Sequence, residues 1–241
     1  MLYDTRGIVF QQFKYAESSI IVKVFTEEFG LQSYIVKGIR SKKAKIKPAL
    51  FQPLNLLDLV VYHREKKDLH HLKEVKVSFV YQSIPVDFIK RSLLFFINEL
   101  LYRSIREESS NKALFNWLYN ALTWLDLSGG NIANYHLVFS IQLSRFLGFY
   151  PKRDPQLKTD VFDLQEGQFI DKIPGHPHYF TGKIVDLLSQ LQDASFDSAG
   201  NIKIDNNDRR KLLEMLMMYY RLHLPGFGEM KSIDVLRTVL D

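Results

Sequence analysis

The sequence of 241 residues contains no cysteine. This absence excludes disulfide bonds, thiolate zinc sites, iron–sulfur clusters and cysteine nucleophiles, and with them several classes of enzyme. Long apolar runs are also missing, because no stretch approaches the ~18 residues that a membrane-spanning helix needs, and the N-terminus lacks an apolar signal core. The sequence therefore predicts a cytoplasmic protein that does not associate with membranes.

Acidic residues are scarce relative to basic ones in the first third of the chain only. The whole chain has 32 Lys and Arg against 27 Asp and Glu, which gives a net charge of +5 at pH 7. Residues 1–81 contain 14 basic and 8 acidic residues, whereas the remaining residues contain 18 and 19. All of the positive surplus thus lies in the N-terminal third, which predicts that this part of the molecule contacts a polyanion.

The first 81 residues show the period-two pattern that is typical of strands. Five segments rich in Ile, Val, Phe and Tyr are separated by charged or turn-forming stretches: residues 7–13, 18–26, 31–39, 55–62 and 69–80. Five short strands in about 80 residues favour a small closed barrel, because closing the sheet hides its edges. An OB-type barrel fits this pattern best, and an SH3-like barrel is the alternative.

After Pro85 the apolar period changes from 2 to 3.6, which predicts helices. The helical segments are residues 86–108, 111–127, 131–147, 183–192, 205–222 and 232–240. Residues 149–183 contain half of the prolines and little periodicity, so we expect a peripheral, irregular insertion there. The predicted fold is α+β: a five-stranded OB-type β-barrel over residues 1–81, then an α-helical bundle domain over residues 85–241 with this insertion.

The densest group of charges lies on a predicted loop between Lys37 and Lys47. Six basic residues and no acidic residue fall within eleven positions, and Gly38 and Pro48 at its ends disfavour a helix. A basic loop beside a barrel contacts phosphates, and exposed aromatic rings of the barrel stack on bases. The predicted nucleic-acid-binding residues are Lys37, Arg40, Lys42, Lys43, Lys45 and Lys47. The aromatic candidates are Tyr3, Phe10, Phe13, Tyr15, Phe29 and Tyr34, of which half are expected in the core. A lysine loop that is merely solvated is the alternative.

No motif of a nucleophilic or metal-dependent enzyme accompanies these charges. Four carboxylates of the insertion, which are Asp160, Asp163, Glu166 and Asp171, are candidate Mg²⁺ ligands, but carboxylates on polar loops are usually solvated. The histidine pairs at 70–71 and 176–178 lack further ligands at metal spacing. The sequence therefore predicts a protein that is not an enzyme and has no metal or cofactor, with a metal-dependent nuclease as the weaker alternative.

Basic side chains also flank the end of the third predicted helix. Arg145 lies in its last turn among apolar residues, and Lys152 and Arg153 follow shortly after it. An apolar groove with a basic rim binds short acidic–hydrophobic peptide tails. The simpler alternative is a core helix whose terminal cations complement the helix dipole.

Several spaced motifs resemble the N-terminal signature of the RecO family of bacterial recombination-mediator proteins. In order they are residues 7–10 (GIVF), 15–22 (YAESSIIV), 25–30 (FTEEFG), 36–43 (VKGIRSKK) and 50–54 (LFQPL). Residues 147–151 (LGFYP) resemble the helix end that precedes a four-cysteine zinc module in many members. Since this insertion has no cysteine, no zinc is expected.

The resemblance implies an N-terminal OB fold and a non-enzymatic recombination mediator in DNA repair. Such a protein binds single- and double-stranded DNA, anneals complementary strands and helps to load RecA onto strands coated by single-strand-binding protein. The resemblance supports the basic loop as DNA-contacting.

The same resemblance also implies partners and a location. The implied partners are RecR, sometimes RecF, the C-terminal tail of single-strand-binding protein and, indirectly, RecA. Arg145, Lys152 and Arg153 are the candidate residues for the tail. The implied location is the bacterial cytoplasm, at the nucleoid during repair. An RNA- or ribosome-binding OB module is the alternative function.

Overall fold

Alternating apolar residues close the first part of the chain into a β-barrel. In the computed structural model, which describes residues 1–39, 46–64, 67–154 and 160–240, five strands form this barrel. They are β1 (Leu2–Tyr15), β2 (Ser19–Thr26), β3 (Gly30–Val36), β4 (Leu56–Tyr62) and β5 (Leu69–Phe79). The order around the barrel is β1-β2-β3-β5-β4, in which β3 and β5 pair in parallel and the other neighbours are antiparallel. The predicted five-stranded barrel is confirmed.

The barrel interior is apolar and receives side chains from every strand. On β2 the inward residues are Ile20, Val22 and Val24, as their alternation predicts. Phe51, at the end of a short 3₁₀ turn (Pro48–Phe51), is fully buried in the same core. Burial of these side chains removes apolar surface from water, which is the main driving force for closing the sheet.

A buried polar pair lies where the barrel closes. The parallel pairing of β3 with β5 extends only over residues 33–35 and 69–71. Next to it, the Gln32 amide nitrogen donates to the carbonyl oxygens of Phe29 at 2.7 Å and Glu108 at 3.4 Å. The Gln32 oxygen is therefore the acceptor, and His70 Nε2, 3.0 Å away, donates to it. We call this pair the closure pair.

The closure pair requires a neutral His70. Because Nε2 carries the hydrogen, Nδ1 is bare, and it accepts from the backbone N–H of Arg64 at 3.4 Å. Burial, and then the neighbouring His63, lowers the pKa of His70. The imidazole therefore serves as a hydrogen-bonding bridge between β3 and the loop after β4.

Acidification should weaken the barrel through His70. Since its pKa is lowered in the folded state, the unfolded chain takes up the proton first, and stability falls as the pH drops below about 6.5. His70→Gln keeps a donor and an acceptor but does not titrate. Urea unfolding followed by tryptophan fluorescence should show a larger loss between about pH 7.5 and about pH 5 for the wild type than for the variant. Equal losses would contradict this assignment.

Two helices belong to the same part of the structure as the barrel. These are α1 (Phe88–Ser104) and α2 (Lys112–Leu127), and the chain divides into two compact units, Met1–Leu127 and Ser128–Asp241. Asp126, 2% exposed in the last turn of α2, accepts from the backbone N–H groups of Gln82, Ser83 and Ile84, each at 2.9 Å. Burial alone would raise the pKa of Asp126, but these donors together lower it. The predicted domain division after residue 81 stays a prediction.

The segment between α1 and α2 runs against the barrel at Gly30. The N–H of Leu31 donates to the carbonyl of Glu107 at 3.0 Å. Gly30 has a φ of +67°, and a Cβ there would lie 2.3 Å from the carbonyl oxygen of Ser109. Both the backbone conformation and the close approach therefore require glycine.

Replacing Gly30 should destabilise the first unit strongly. Gly38 is a matched control, since its φ is also +67° but a Cβ there would meet no atom within 4 Å. Gly38→Ala should cost about 1 kcal/mol through backbone strain alone, whereas Gly30→Ala should cost clearly more because the Ser109 backbone must also move. Urea unfolding followed by the fluorescence of Trp117 and Trp124, both in α2, measures the difference. Equal costs would show that the approach of Ser109 is not limiting.

The second unit contains five helices and a small sheet within the described residues. The helices are α3 (Tyr135–Phe146), α4 (Lys183–Gln192), α5 (Phe196–Ala199), α6 (Asn206–His223) and α7 (Ser232–Leu240). The sheet has the order β7-β6-β8, with β6 (Val161–Asp163), β7 (Gln168–Ile170) and β8 (Tyr179–Thr181). No helix of the described residues is long and apolar enough to cross a membrane.

The sheet corrects the prediction of an irregular, peripheral insertion at residues 149–183. Phe162 of β6 is fully buried, and its ring lies edge-on to that of Tyr219 in α6, with 5.4 Å between ring centroids. The insertion thus contributes to the core of the second unit. Its strands of three residues are too short to produce a recognisable period-two pattern.

Candidate nucleic-acid interface

One row of side chains crosses the outer face of the barrel. Successive cross-strand partners along it are Phe13, Ile21, Ile35, His71 and Tyr62, from β1, β2, β3, β5 and β4. Cross-strand partners point to the same side of a sheet, and on β2 the residues that alternate with this row fill the interior. We call these five residues the outer row. Phe13 is 38% exposed and Tyr62 is 48% exposed, so the row presents an aromatic ring at each end.

The aromatic candidates divide between the core and this surface. Phe10 and Tyr34 are buried, which removes both from any stacking role. Phe13 and Tyr15 are exposed on the outer face. Tyr3 is exposed near the start of β1, but it pairs with the interior residue Val61, and Phe29 is half-buried against the core. Tyr62 is not among the predicted residues, although its pattern could have identified it: it alternates in phase with the charged residue Asp58 on β4, which marks it as outward-facing.

Cations lie beside the outer row. Lys37 follows Ile35 by two positions in the turn just after β3, and Lys73 follows His71 by two positions on β5, where the register with β4 shifts; both lysines are exposed. Lys73 lies 3.6 Å from the exposed carboxylate of Glu74, a contact that contributes little in water. The surface therefore combines aromatic faces with positive charge.

The structure describes the two ends of the predicted basic loop. Lys37 and Lys47 are exposed, as a phosphate-contacting role requires. Between them Ile39 is 3% exposed and belongs to the barrel core, so the loop is attached to the barrel where it begins. The other predicted residues, which are Arg40, Lys42, Lys43 and Lys45, lie outside the described residues.

On another part of the outer surface, cations lie next to carboxylates. Arg6, Asp58 and Lys76 are cross-strand neighbours on β1, β4 and β5, and Glu74 lies in the adjacent row. Arg6 donates to the carboxylate of Glu27 at 2.8 and 2.9 Å, and this hydrogen bond raises the pKa of Arg6. The cations here are matched by carboxylates, which repel phosphates. This part of the surface therefore suits a polyanion less well than the outer row with its exposed neighbours Lys37 and Lys73.

Two family models cover almost the entire chain. The N-terminal model of recombination protein O matches residues 1–81, and the C-terminal model of recombination protein O matches residues 85–232. The chain belongs to the RecO family. The DNA repair protein RecO of Bacteroides fragilis is 39% identical over 242 residues, which cover 100% of both chains. That of Christiangramia forsetii is 39% identical over 240 residues, which cover 99% of each chain. Membership confirms the predicted resemblance and places this chain among RecO proteins of DNA repair and recombination.

In this RecO chain, the three cations predicted to bind a peptide tail have different surroundings. The guanidinium of Arg145 lies 4.3 Å from the ring centroid of Tyr150 and is exposed. Arg153 forms an ion pair of 2.9 Å with Asp193, so its charge is already partly neutralised. Lys152 has an exposed side chain, while its backbone pairs with β7. Arg145 and Lys152 therefore offer more unneutralised charge to a ligand than Arg153 does.

One of the four carboxylates predicted as candidate Mg²⁺ ligands in this RecO chain, Asp163, has a local structural role. Asp163 is 4% exposed, accepts from the N–H groups of Gln165 at 2.8 Å and Glu166 at 3.1 Å, and lies 3.3 Å from His176 Nε2. Its side chain thus stabilises the turn between β6 and β7. Within residues 1–39, 46–64, 67–154 and 160–240, no group of three or more His, Asp or Glu is arranged to hold a metal ion.

Proposed function

We propose that this RecO protein is a non-enzymatic mediator that binds DNA through its barrel and anneals complementary strands. The observation that supports the proposal is the combination of exposed aromatic rings at the ends of the outer row, Phe13 and Tyr62, with exposed cations close to its middle in the chain, Lys37 and Lys73. Lysines that hold phosphates lower the repulsion between two strands and leave the base edges free to pair. Annealing by this route needs no nucleophile and no metal.

The proposal extends to the partners that the family resemblance implies. The protein would bind single- and double-stranded DNA and help to load RecA onto strands coated by single-strand-binding protein. It would act with RecR, in some cases with RecF, in the bacterial cytoplasm and at the nucleoid during repair. The tail of single-strand-binding protein would contact the second unit near Arg145, Lys152 and Arg153.

The basic loop should determine much of the salt dependence of DNA binding. Each phosphate contact contributes about −0.7 to the slope of log affinity against log salt on single-stranded DNA. Replacing Lys42, Lys43 and Lys45 with Ala should therefore flatten that slope by about 2 and slow the annealing of fluorescent complementary strands. Sequence dependence should stay small, because phosphates carry no base information.

The matched control for this experiment removes three exposed lysines from the second unit. Lys172, Lys203 and Lys211 are all exposed, and their replacement with Ala changes the net charge equally. The control should retain more of the slope than the loop variant. A folded loop variant with an unchanged slope would show that the loop is only solvated. Stronger competition by RNA than by DNA of the same sequence would favour the RNA-binding alternative.

Arg145 should contribute to binding of an acidic peptide tail. Arg145→Ala should weaken a peptide with the sequence of the tail of single-strand-binding protein by up to about fivefold, the effect of losing one exposed ion pair. Arg153→Ala should have a smaller effect, because Asp193 already partly neutralises that charge. Fluorescence anisotropy of a labelled peptide measures both, and DNA affinity should stay unchanged. The proposed location would be wrong if Arg145→Ala, Lys152→Ala and Arg153→Ala all left peptide affinity unchanged.

A further inference from the structure

A cavity of about 160 Å³ opens at the end of the barrel where β4 leads into β5. We call it the β4–β5 cavity. Its described lining residues are Tyr62, Arg64, Lys67, Leu69, His70 and His71. Two of them are cations, two are imidazoles, and none is acidic. The exposed carboxylate of Asp68 follows Lys67 and acts electrostatically on His70, but it is not among these lining residues. The two cations of the lining attract an anionic group.

The lining also selects the chemical class of the anion. The ring of Tyr62, 48% exposed, is at the same time the terminal ring of the outer row. Arg64 and Lys67 are exposed on the loop that follows β4. A flat aromatic face next to two cations matches a base next to its phosphate, since bases stack on aromatic rings while guanidinium and ammonium groups bind phosphate oxygens.

The floor of the cavity is fixed before any ligand arrives. His70 donates to Gln32 and accepts from the backbone N–H of Arg64, so both of its nitrogen atoms are engaged. The ring of His63 stacks on that of His70 with 4.3 Å between centroids, and on that of Phe29 with 4.0 Å. The backbone of Arg64 is thereby attached to the barrel. A ligand that binds here pays less ordering entropy than it would on a free loop.

We propose that the β4–β5 cavity binds a backbone phosphate of a single DNA strand through Arg64 and Lys67, while Tyr62 stacks on the adjoining base. This inference rests on the proposed function and adds a second anchor for the strand. Tyr62 and Phe13 lie four strand spacings apart along the outer row, which is about 19 Å along the barrel surface. The strand would thus follow the outer row from Phe13 to the cavity, past the base of the basic loop.

The double variant Arg64→Ala/Lys67→Ala tests the phosphate contacts. It should flatten the salt slope on single-stranded DNA by about 1.4, two contacts of about 0.7 each. The control Lys76→Ala/Lys112→Ala removes two other exposed cations of the first unit, of which Lys112 forms an ion pair with Glu28 and Lys76 is the cross-strand neighbour of Asp58. The control should change the slope by less than half as much. An equal change in both variants would overturn the assignment of the cavity.

Variants of Tyr62 test the stacking contact. Tyr62→Phe keeps an aromatic face and should retain the affinity for single-stranded DNA, whereas Tyr62→Leu keeps only apolar bulk and should lose at least about fivefold. Equal affinities of the two variants would overturn the stacking role. Tryptophan fluorescence under urea verifies that each variant folds.

Two further binding measurements identify the source of the phosphate. The outcomes for the wild type and the Arg64/Lys67 variant also separate this inference from the proposed function. Inorganic phosphate should not abolish the difference between the wild type and the Arg64/Lys67 variant, and its doing so would identify a free anion as the occupant. A 5′-phosphate on the oligonucleotide should not raise the affinity, because the inferred contact is to an internal phosphate. A wild type that binds no DNA would overturn the proposed function. A wild type that binds DNA with a slope unaffected by Arg64→Ala/Lys67→Ala would overturn this inference alone.

Discussion

Closure of the barrel between β3 and β5 is the constraint on which the outer row, the proposed DNA-binding surface, depends. The parallel pairing there covers only three residues on each strand, and the buried hydrogen bond between Gln32 and His70 lies beside it. Ile35 and His71, the central members of the outer row, face each other across this seam. If the seam opened, the aromatic rings at the two ends of the row would no longer lie on one continuous surface.

Burial of the polar groups at the seam costs little free energy because each of them has a hydrogen-bond partner. An unpaired buried amide or imidazole would cost ~1–3 kcal/mol, but the Gln32 amide contacts two carbonyl groups and His70 contacts both Gln32 and Arg64. This chain of hydrogen bonds allows only one protonation state of His70. These hydrogen bonds therefore fix the register between β3 and β5. Apolar packing alone would leave the two strands free to slip past each other.

The positive charge that the barrel offers to a ligand depends on which of its cations already lie next to carboxylates. Arg6 is bound to Glu27, and Lys76 neighbours Asp58, so that surface neutralises itself. Lys37 and Lys47 are exposed at the ends of a loop without acidic residues. A strand of DNA gains counterion release only where cations are still available, which favours the loop and the outer row. Exposed aromatic rings at the two ends of the row, next to such cations, suit a protein that holds bases without reading their edges.

The amino-acid sequence by itself determined the local structure and the family. The change of period after Pro85, the alternation within β2 and the run of basic residues from Lys37 to Lys47 are local patterns, and the helices and strands of the barrel follow from them. Even the family resemblance depended on motifs that are continuous in sequence.

Only the tertiary structure decided which of these residues meet. Tyr62 and Phe13 belong to one surface because four successive strand registers align them, and registers depend on contacts between residues far apart in the chain. The pairing of Arg153 with Asp193 and the burial of Phe162 against Tyr219 are likewise long-range. The periodicity of a segment shows which of its residues share a face. Whether that face is covered, and by which element, depends on the packing of the whole unit.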